Sequence, residues 1–258
     1  MLSYQHIFHA GNLADVQKHA LMCSMLDYLT AKPKPISYLE THSGRGLYFL
    51  DTDEALKTGE AAGGITRVQD WFSPDHPYAR ALAAVRDDYG DAAYPGSPML
   101  AARLLRDTDS LHLGELHPQE GQALENVLGH RAKVHRQDGF QMAQAVCPPE
   151  PRRGVMLIDP SYEVKADYDR IPAFIAKIHR KWNVAVIALW YPILTSQLHT
   201  NMLVALEAQG LPKTLRHEVR FPPVREGHRM VGSGMFIVNT PYGLETEADR
   251  LSKKFAML

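Results

Sequence analysis

The stretch that most constrains this chain is Gly154–Tyr162, which reads GVMLIDPSY. Val155 to Ile158 form an unbroken apolar run, too short for a helix and rich in branched side chains. A strand covered on both faces, as in a parallel sheet, reads this way. The run stops at Asp159-Pro160. Polar groups just past the carboxyl end of such a strand line the ligand crevice of an open α/β sheet. Pro160 fixes its own φ and restrains Asp159, so the backbone is held there. Tyr162 adds an aromatic face beside the carboxylate.

These groups suit one kind of chemistry. The exocyclic amino group of adenine is a poor nucleophile, because its lone pair is delocalised into the ring. A carboxylate and a main-chain carbonyl that accept its two N–H bonds turn the lone pair out of the ring plane. An aromatic ring stacked on the base holds it flat, as in enzymes that act on an unstacked base. Asp159, the carbonyl of Pro160 and Tyr162 have those properties. The stretch resembles the Asp/Asn-Pro-Pro-Tyr/Phe motif of amino-group methyltransferases that use S-adenosylmethionine. Ser161 stands where the second Pro is usual, which leaves the loop less stiff. Four residues alone also suit an ordinary Asp-Pro turn, since short motifs recur by chance.

Upstream, Asn12 reads as a helix N-cap with Asp15 as its box-like partner. Leu13, Val16, Ala20, Cys23 and Leu26 give helical spacing to about Ala31, where Lys32-Pro33-Lys34-Pro35 stops it. Lys18 and His19 sit off that apolar stripe, and Asp15 and His19 are one turn apart. A strand over Ile36–Thr41 leads into His42-Ser43-Gly44-Arg45-Gly46, a loop that lets a ligand approach the backbone. Its glycines lack dinucleotide-fingerprint spacing. Residues from about 47 to 94 read as a helical insertion without strands. Tyr94–Pro98 reads as a rigid turn, followed by a helix over Met99–Leu105. Leu111–Glu115 reads as a strand ending in an acid, where ribose hydroxyls are accepted in nucleoside-binding α/β folds. A short strand at Val134–Arg136 closes with Asp138-Gly139, where an acid can receive an adenine amino group. Either acid alone would equally suit a solvated surface. After the central motif come a helix around Ile171–His179 and a strand over Val184–Leu189, ended by Trp190-Tyr191-Pro192. A helix over Ser196–Gln209, a strand over Thr214–Phe221, a polar loop over Pro222–Ser233 and a last strand over Met235–Val238 complete the pattern.

With 258 residues, the chain is long enough for one large domain carrying an insertion. Its net charge of −1 is not that of a protein that grips nucleic acid everywhere. A nucleic-acid substrate would therefore need a local basic face. Candidates are Lys32 and Lys34; Arg152 and Arg153; Arg180 and Lys181; and Arg225, His228 and Arg229. Two distant cysteines, no secretory signal and no apolar run of membrane-spanning length point to the cytoplasm.

Collinear short matches run along nearly the whole chain. They include Tyr4, His6, Phe8–Asn12, Ala14–Val16, Lys18-His19, Thr41–Gly44, Tyr94–Pro98 and Glu115–Pro118. They continue through Asp138–Phe140, Leu157–Pro160, Leu189–Pro192 and Gly232–Met235. Together they resemble the ribosomal large-subunit methyltransferase J family, which methylates N6 of one adenine in 23S rRNA. The resemblance implies a Rossmann-like class I S-adenosylmethionine-dependent methyltransferase sheet spanning 1–258 as a single domain, doubly wound, with a helical inserted subdomain at about 47–94. It implies that His19, His42, Ser97, Glu115, Asp138 and Gly139 contact S-adenosylmethionine. Asp159 is then the catalytic carboxylate, with Pro160 and Tyr162 beside it, and Tyr4 and Lys18 lie at the substrate. No metal or membrane is implied, and a monomer is the simplest expectation. The chain ends at Leu258, sooner than such proteins commonly do. Three rival readings are a DNA adenine-N6 methyltransferase, a nucleic-acid binding protein that keeps the fold without catalysis, and a nucleotide-dependent dehydrogenase. The glycine spacing disfavours the last.

Overall fold

A computed structural model describes residues 5–223, 227 and 229–258. Its centre is a seven-stranded sheet. We number the strands β1 (Ser37–Glu40), β2 (Ser110–Gly114), β3 (Lys133–His135), β4 (Gly154–Ile158), β5 (Val186–Leu194), β6 (Leu215–Arg220) and β7 (Met230–Val238). Their spatial order is β3-β2-β1-β4-β5-β7-β6. All pairs are parallel except those made by β7, which runs against both β5 and β6. This is the expected Rossmann-like sheet, with one strand reversed. β4 is buried at every position, which is why its sequence shows no alternation. Burying each of its large side chains is worth about 1.5–3 kcal/mol.

The helices are α1 (Leu13–Thr30), α2 (Pro77–Tyr89), α3 (Ser97–Leu104), α4 (Pro118–Leu128), α5 (Gly139–Val146), α6 (Asp167–Lys181), α7 (His199–Glu207) and α8 (Leu244–Phe255). One core lies around α1 and includes α2, α3 and α8. The other packs α5, α6 and α7 on the opposite face of the sheet. α1 is buried on nearly every side, including its polar residues Asp15, Gln17, Lys18 and His19. Gln17 is tied to a residue far along the chain: its Nε2 donates to the carbonyl of His217 at 3.1 Å, while its buried Oε1 has no hydrogen-bond partner among the described residues. The Asn12 side chain caps α1 by accepting from the Asp15 amide. The Asp15 carboxylate differs from the expected box partner, because it accepts from the Gly11 amide at 2.9 Å rather than from Asn12.

Three elements depart from the sequence reading. The segment between β1 and β2 is not wholly helical. Leu47–Phe49 and Ala93–Pro95 pair antiparallel around a series of short helices and α2. Three residues a side is too short for a visible alternation. β5 does not stop at Trp190 but continues through Pro192 to Leu194. Past Leu189 it keeps only β7 as a paired neighbour, so the missing N–H of Pro192 need not break a ladder on the other side. β7 begins at Met230, inside the expected polar loop. Its glycines are there for space: a Cβ on Gly234 would lie 2.2 Å from the Tyr191 ring. Of that loop, Arg225 and His228 lie outside the described residues.

Candidate active site

The parallel strands end on one side of the sheet, and their following residues surround a cleft of about 450 Å³. Five segments build it. The loop after β1 supplies Thr41–Gly44, β2 leads into Glu115, and the start of α5 supplies Asp138 and Gly139. β4 leads into Asp159–Tyr162, and β5 supplies Trp190, Pro192 and Leu194. α1 closes one side with Asn12, Asp15, Lys18 and His19, residues whose spacing puts them on one helical face. Ser97 faces the cleft from the first turn of α3.

The cleft is charged at its centre. Lys18 Nζ lies 2.7 Å from Asp159 Oδ2 and 3.0 Å from Asp15 Oδ1. Burial opposes the ammonium charge, but Asp15 and Asp159 together raise the Lys18 pKa above its ordinary value. Burial likewise opposes ionisation of Asp15; His6 and Lys18 outweigh it and hold that carboxyl well below the usual range. His6 Nε2 is 2.9 Å from Asp15 Oδ2. Burial pushes His19 down to about 3, so it is neutral. Its Nδ1 pairs with the Tyr94 hydroxyl at 2.9 Å, while Nε2 has no hydrogen-bond partner among the described residues.

The residues expected to hold a cofactor line this same cleft. Glu115 Oε2 accepts from the Gly44 amide at 2.8 Å and Oε1 from the His117 amide at 2.7 Å, which ties two loops together. Asp138 caps α5 through the Gln141 amide and approaches Arg170 at 3.3 Å. A Cβ on Gly139 would lie 1.7 Å from the Thr41 carbonyl oxygen, so only glycine lets α5 begin against the β1 loop. His42 packs edge-on against Phe140, and its enclosed position pushes its pKa down to about 4. The buried hydroxyl of Ser43 has no hydrogen-bond partner among the described residues. A cradle with unpaired polar atoms, closely approaching backbone and an acid past β2 fits a nucleoside-bearing cofactor such as S-adenosylmethionine.

The central motif forms the adjoining wall. Tyr162 adopts φ of 56°, and its hydroxyl donates to the Trp190 carbonyl at 2.7 Å. Its ring packs on Tyr168 at 4.6 Å. Pro160 and Ser161 line the cleft beside it. Tyr4 lies outside the described residues. Glu40 escaped the sequence reading because it closes a buried strand. It is fully buried and accepts from Ser97 Oγ at 2.5 Å and Tyr38 Oη at 2.8 Å. Burial pushes it up to about 8 against those hydrogen bonds. A carboxylate in an otherwise uncharged strand was the signal available.

Three of the four basic clusters are not at the cleft. Lys32 and Lys34 precede β1, Arg152 and Arg153 precede β4, and Arg180 and Lys181 end α6 ahead of β5. All lie at the amino ends of parallel strands, opposite the site. The sequence shows a cluster but not which end of a strand it will occupy. Arg229, just before the reversed strand β7, is on the cleft side, next to Met230 in its wall. Among the described residues, no three His, Cys, Asp or Glu side chains are grouped to hold a metal ion. No helix among them is long and apolar enough to cross a membrane.

Known proteins share both sequence and fold. The family model described as Ribosomal RNA large subunit methyltransferase D, RlmJ, matches residues 33–256. Ribosomal RNA large subunit methyltransferase J of Escherichia coli (strain K12) is 40% identical, over 97% of this chain and 91% of that protein. Its namesake from Haemophilus influenzae is 40% identical, over 96% of this chain and 90% of that protein. The crystal structure of protein LPL1258 from Legionella pneumophila is 34% identical, with a TM-score of 0.85, covering 96% of this chain and 93% of that one. By its family match, by these relatives and by the cleft at the carboxyl ends of its sheet, the chain belongs to the ribosomal RNA large subunit methyltransferase J family.

Proposed function

We propose that this protein transfers a methyl group from S-adenosylmethionine to N6 of a specific adenine in 23S rRNA, as a cytoplasmic enzyme. The observation that carries the reading is that Asp159, Pro160 and Tyr162 line one cleft together with His19, His42, Ser97, Glu115, Asp138 and Gly139. The first three suit an adenine; the other six suit the cofactor. When bound, S-adenosylmethionine supplies the methyl electrophile from its sulfonium.

The protein's own work is alignment. The adenine is unstacked into the cleft and held flat beside Tyr162. The Asp159 carboxylate and the Pro160 carbonyl accept the two amino N–H bonds and turn the lone pair toward the methyl. Lys18 donates to Asp159 Oδ2, which fixes the carboxylate and leaves Oδ1 as the acceptor for substrate. Asp159 acts as an orienting acceptor rather than a strong base, because the proton leaves after the amine has become cationic. Most of the acceleration comes from this alignment. Lys18 lies at the substrate end, and family likeness alone assigns Tyr4 to the substrate. The chain acts as one catalytic domain, with residues 47–94 as an inserted lobe.

The test is methyl transfer from labelled S-adenosylmethionine to unmodified 23S rRNA, followed by nucleoside analysis. N6-methyladenosine at a single site is expected. Label in another nucleoside, or in matched DNA and not in RNA, overturns the reading.

A further inference from the structure

The basic clusters at the amino ends of the strands form one surface. Arg106 Nη1 donates to the Lys32 carbonyl at 2.7 Å, and Arg106 Nη2 to that of Lys34 at 3.0 Å. Arg153 Nη1 donates to the same Lys34 carbonyl at 3.3 Å and Nη2 to that of Leu29 at 2.6 Å. Arg152 reaches the Lys181 carbonyl at 3.5 Å. These bonds join the loops ahead of β1, β2 and β4 to the end of α6.

The charge on this surface is largely uncompensated. Residues 31–36, 105–109, 147–153 and 178–181 hold seven Lys or Arg against three Asp or Glu, in a chain whose net charge is −1. Arg106 meets Asp109. The other arginines named donate to carbonyls, which satisfy the hydrogen bonds and leave the positive charge in place. Lys32, Lys34, Arg152 and Arg180 are exposed, and none forms an ion pair among the described residues. Concentrated positive charge on one side of a weakly anionic protein attracts a polyanion to that side.

We infer that this face binds the phosphate backbone of a second RNA segment, remote from the one whose adenine enters the cleft. The inference rests on the RNA-methyltransferase reading. The two surfaces are separated by the length of β4, roughly 17 Å of strand, with the body of the sheet between them. A short hairpin with its base in the cleft does not reach around the sheet edge, whereas a long folded RNA does. The face therefore supplies affinity for extended rRNA without touching the chemistry.

The experiment compares wild type with the quadruple variant Lys32→Gln, Lys34→Gln, Arg152→Gln, Arg180→Gln. Arg106 and Arg153 are left intact because they hold the loops, and matching melting temperatures verify the fold. Binding of transcribed 23S rRNA and of a hairpin of a few tens of nucleotides is titrated over a range of salt. For the long RNA the variant should bind at least tenfold more weakly, with a log–log salt slope shallower by about 3. For the hairpin, affinity and methylation should equal wild type. Unchanged long-RNA affinity and slope overturn the inference, and so does an equal loss on both RNAs. If wild type methylates neither RNA while long-RNA binding still depends on these four charges, the proposed function fails and the basic surface stands.

Discussion

Lys18 and Asp159, 141 positions apart in the chain, meet as an ion pair with 2.7 Å between Nζ and Oδ2. Lys18 also touches Asp15, so the ammonium has two carboxylates and Asp159 is the more accessible of them. This sharing separates catalysis from stability. Replacing Asp159 by Ala should lower methyl transfer at least 100-fold, because the group proposed to orient the amino nitrogen is gone. Its melting temperature should change little, since Asp15 still neutralises Lys18. Normal methylation by a folded Asp159→Ala protein would refute the role assigned to that carboxylate.

Asp15→Ala should behave in the opposite way. Asp15 is 2% exposed and receives the Gly11 amide, His6 and Lys18. Its removal takes the acceptor from the Gly11 amide at the start of α1 and leaves the buried Lys18 ammonium with Asp159 as its remaining carboxylate. A loss of about 1–3 kcal/mol is expected, read as a lower midpoint in urea. A loss smaller than that caused by Asp159→Ala would contradict the geometry.

Glu40 gives stability a pH dependence of unusual sign for a carboxylate. Its folded pKa of about 8 exceeds the ordinary value of 4.5. The folded state therefore holds a proton that the unfolded chain releases. The contribution is complete below about 4.5 and declines as pH rises toward about 8. The slope within that window approaches about 1.4 kcal/mol per pH unit. Urea midpoints at pH 5 and pH 8 should fall more for wild type than for Glu40→Gln. Parallel curves would show that Glu40 does not bind the proton.

Tyr162 serves through its ring and its hydroxyl in separable ways. Tyr162→Phe loses the hydrogen bond to the Trp190 carbonyl and should cost about 1 kcal/mol of stability, with methylation retained within a few-fold. Tyr162→Ala removes the face proposed to hold the base and should lower kcat/KM on RNA by tenfold or more. Equal activity in both variants would show that the ring does not contact the adenine.

Gly139→Ala introduces a methyl where the Thr41 carbonyl already lies, 1.7 Å from the new Cβ. Both partners are main chain, so neither can swing aside. Weaker binding of S-adenosylmethionine by calorimetry and a lower melting temperature are expected together. Wild-type affinity in this variant would mean that the start of α5 does not shape the cofactor cradle.

Much of the site was legible because its residues stand where one sequence signal changes to another. β4 announces itself as a short apolar run, and Asp159 as the polar residue that ends it. Glu115 and Asp138-Gly139 follow strands in the same way. What stayed hidden depends on contacts across the fold. Gly232 read as loop and Gly234 fell just ahead of the last strand because glycine weakens a strand locally, whereas here Gly234 makes room for the Tyr191 ring. Pro192 read as a stop because the sequence does not tell how many neighbours a strand has. The lysines and arginines ahead of β1 and β4 read as candidates for a nucleic-acid face without a place in the fold, since the sequence does not show at which end of the sheet they fall. Glu40 was hidden by the opposite effect, an ionisable residue in a place where burial keeps it protonated against the pull of two hydroxyls.

The bond from Gln17 to His217 also sets a timetable. The two residues are separated by 200 positions. At about 5–20 residues per second, a ribosome needs roughly ten to forty seconds to travel from one to the other. Throughout that interval α1 has been made but lacks the strand that Gln17 bonds. Gln17 stays without its partner until β6 emerges, so the packing of α1 is completed only when nearly the whole sheet has been made.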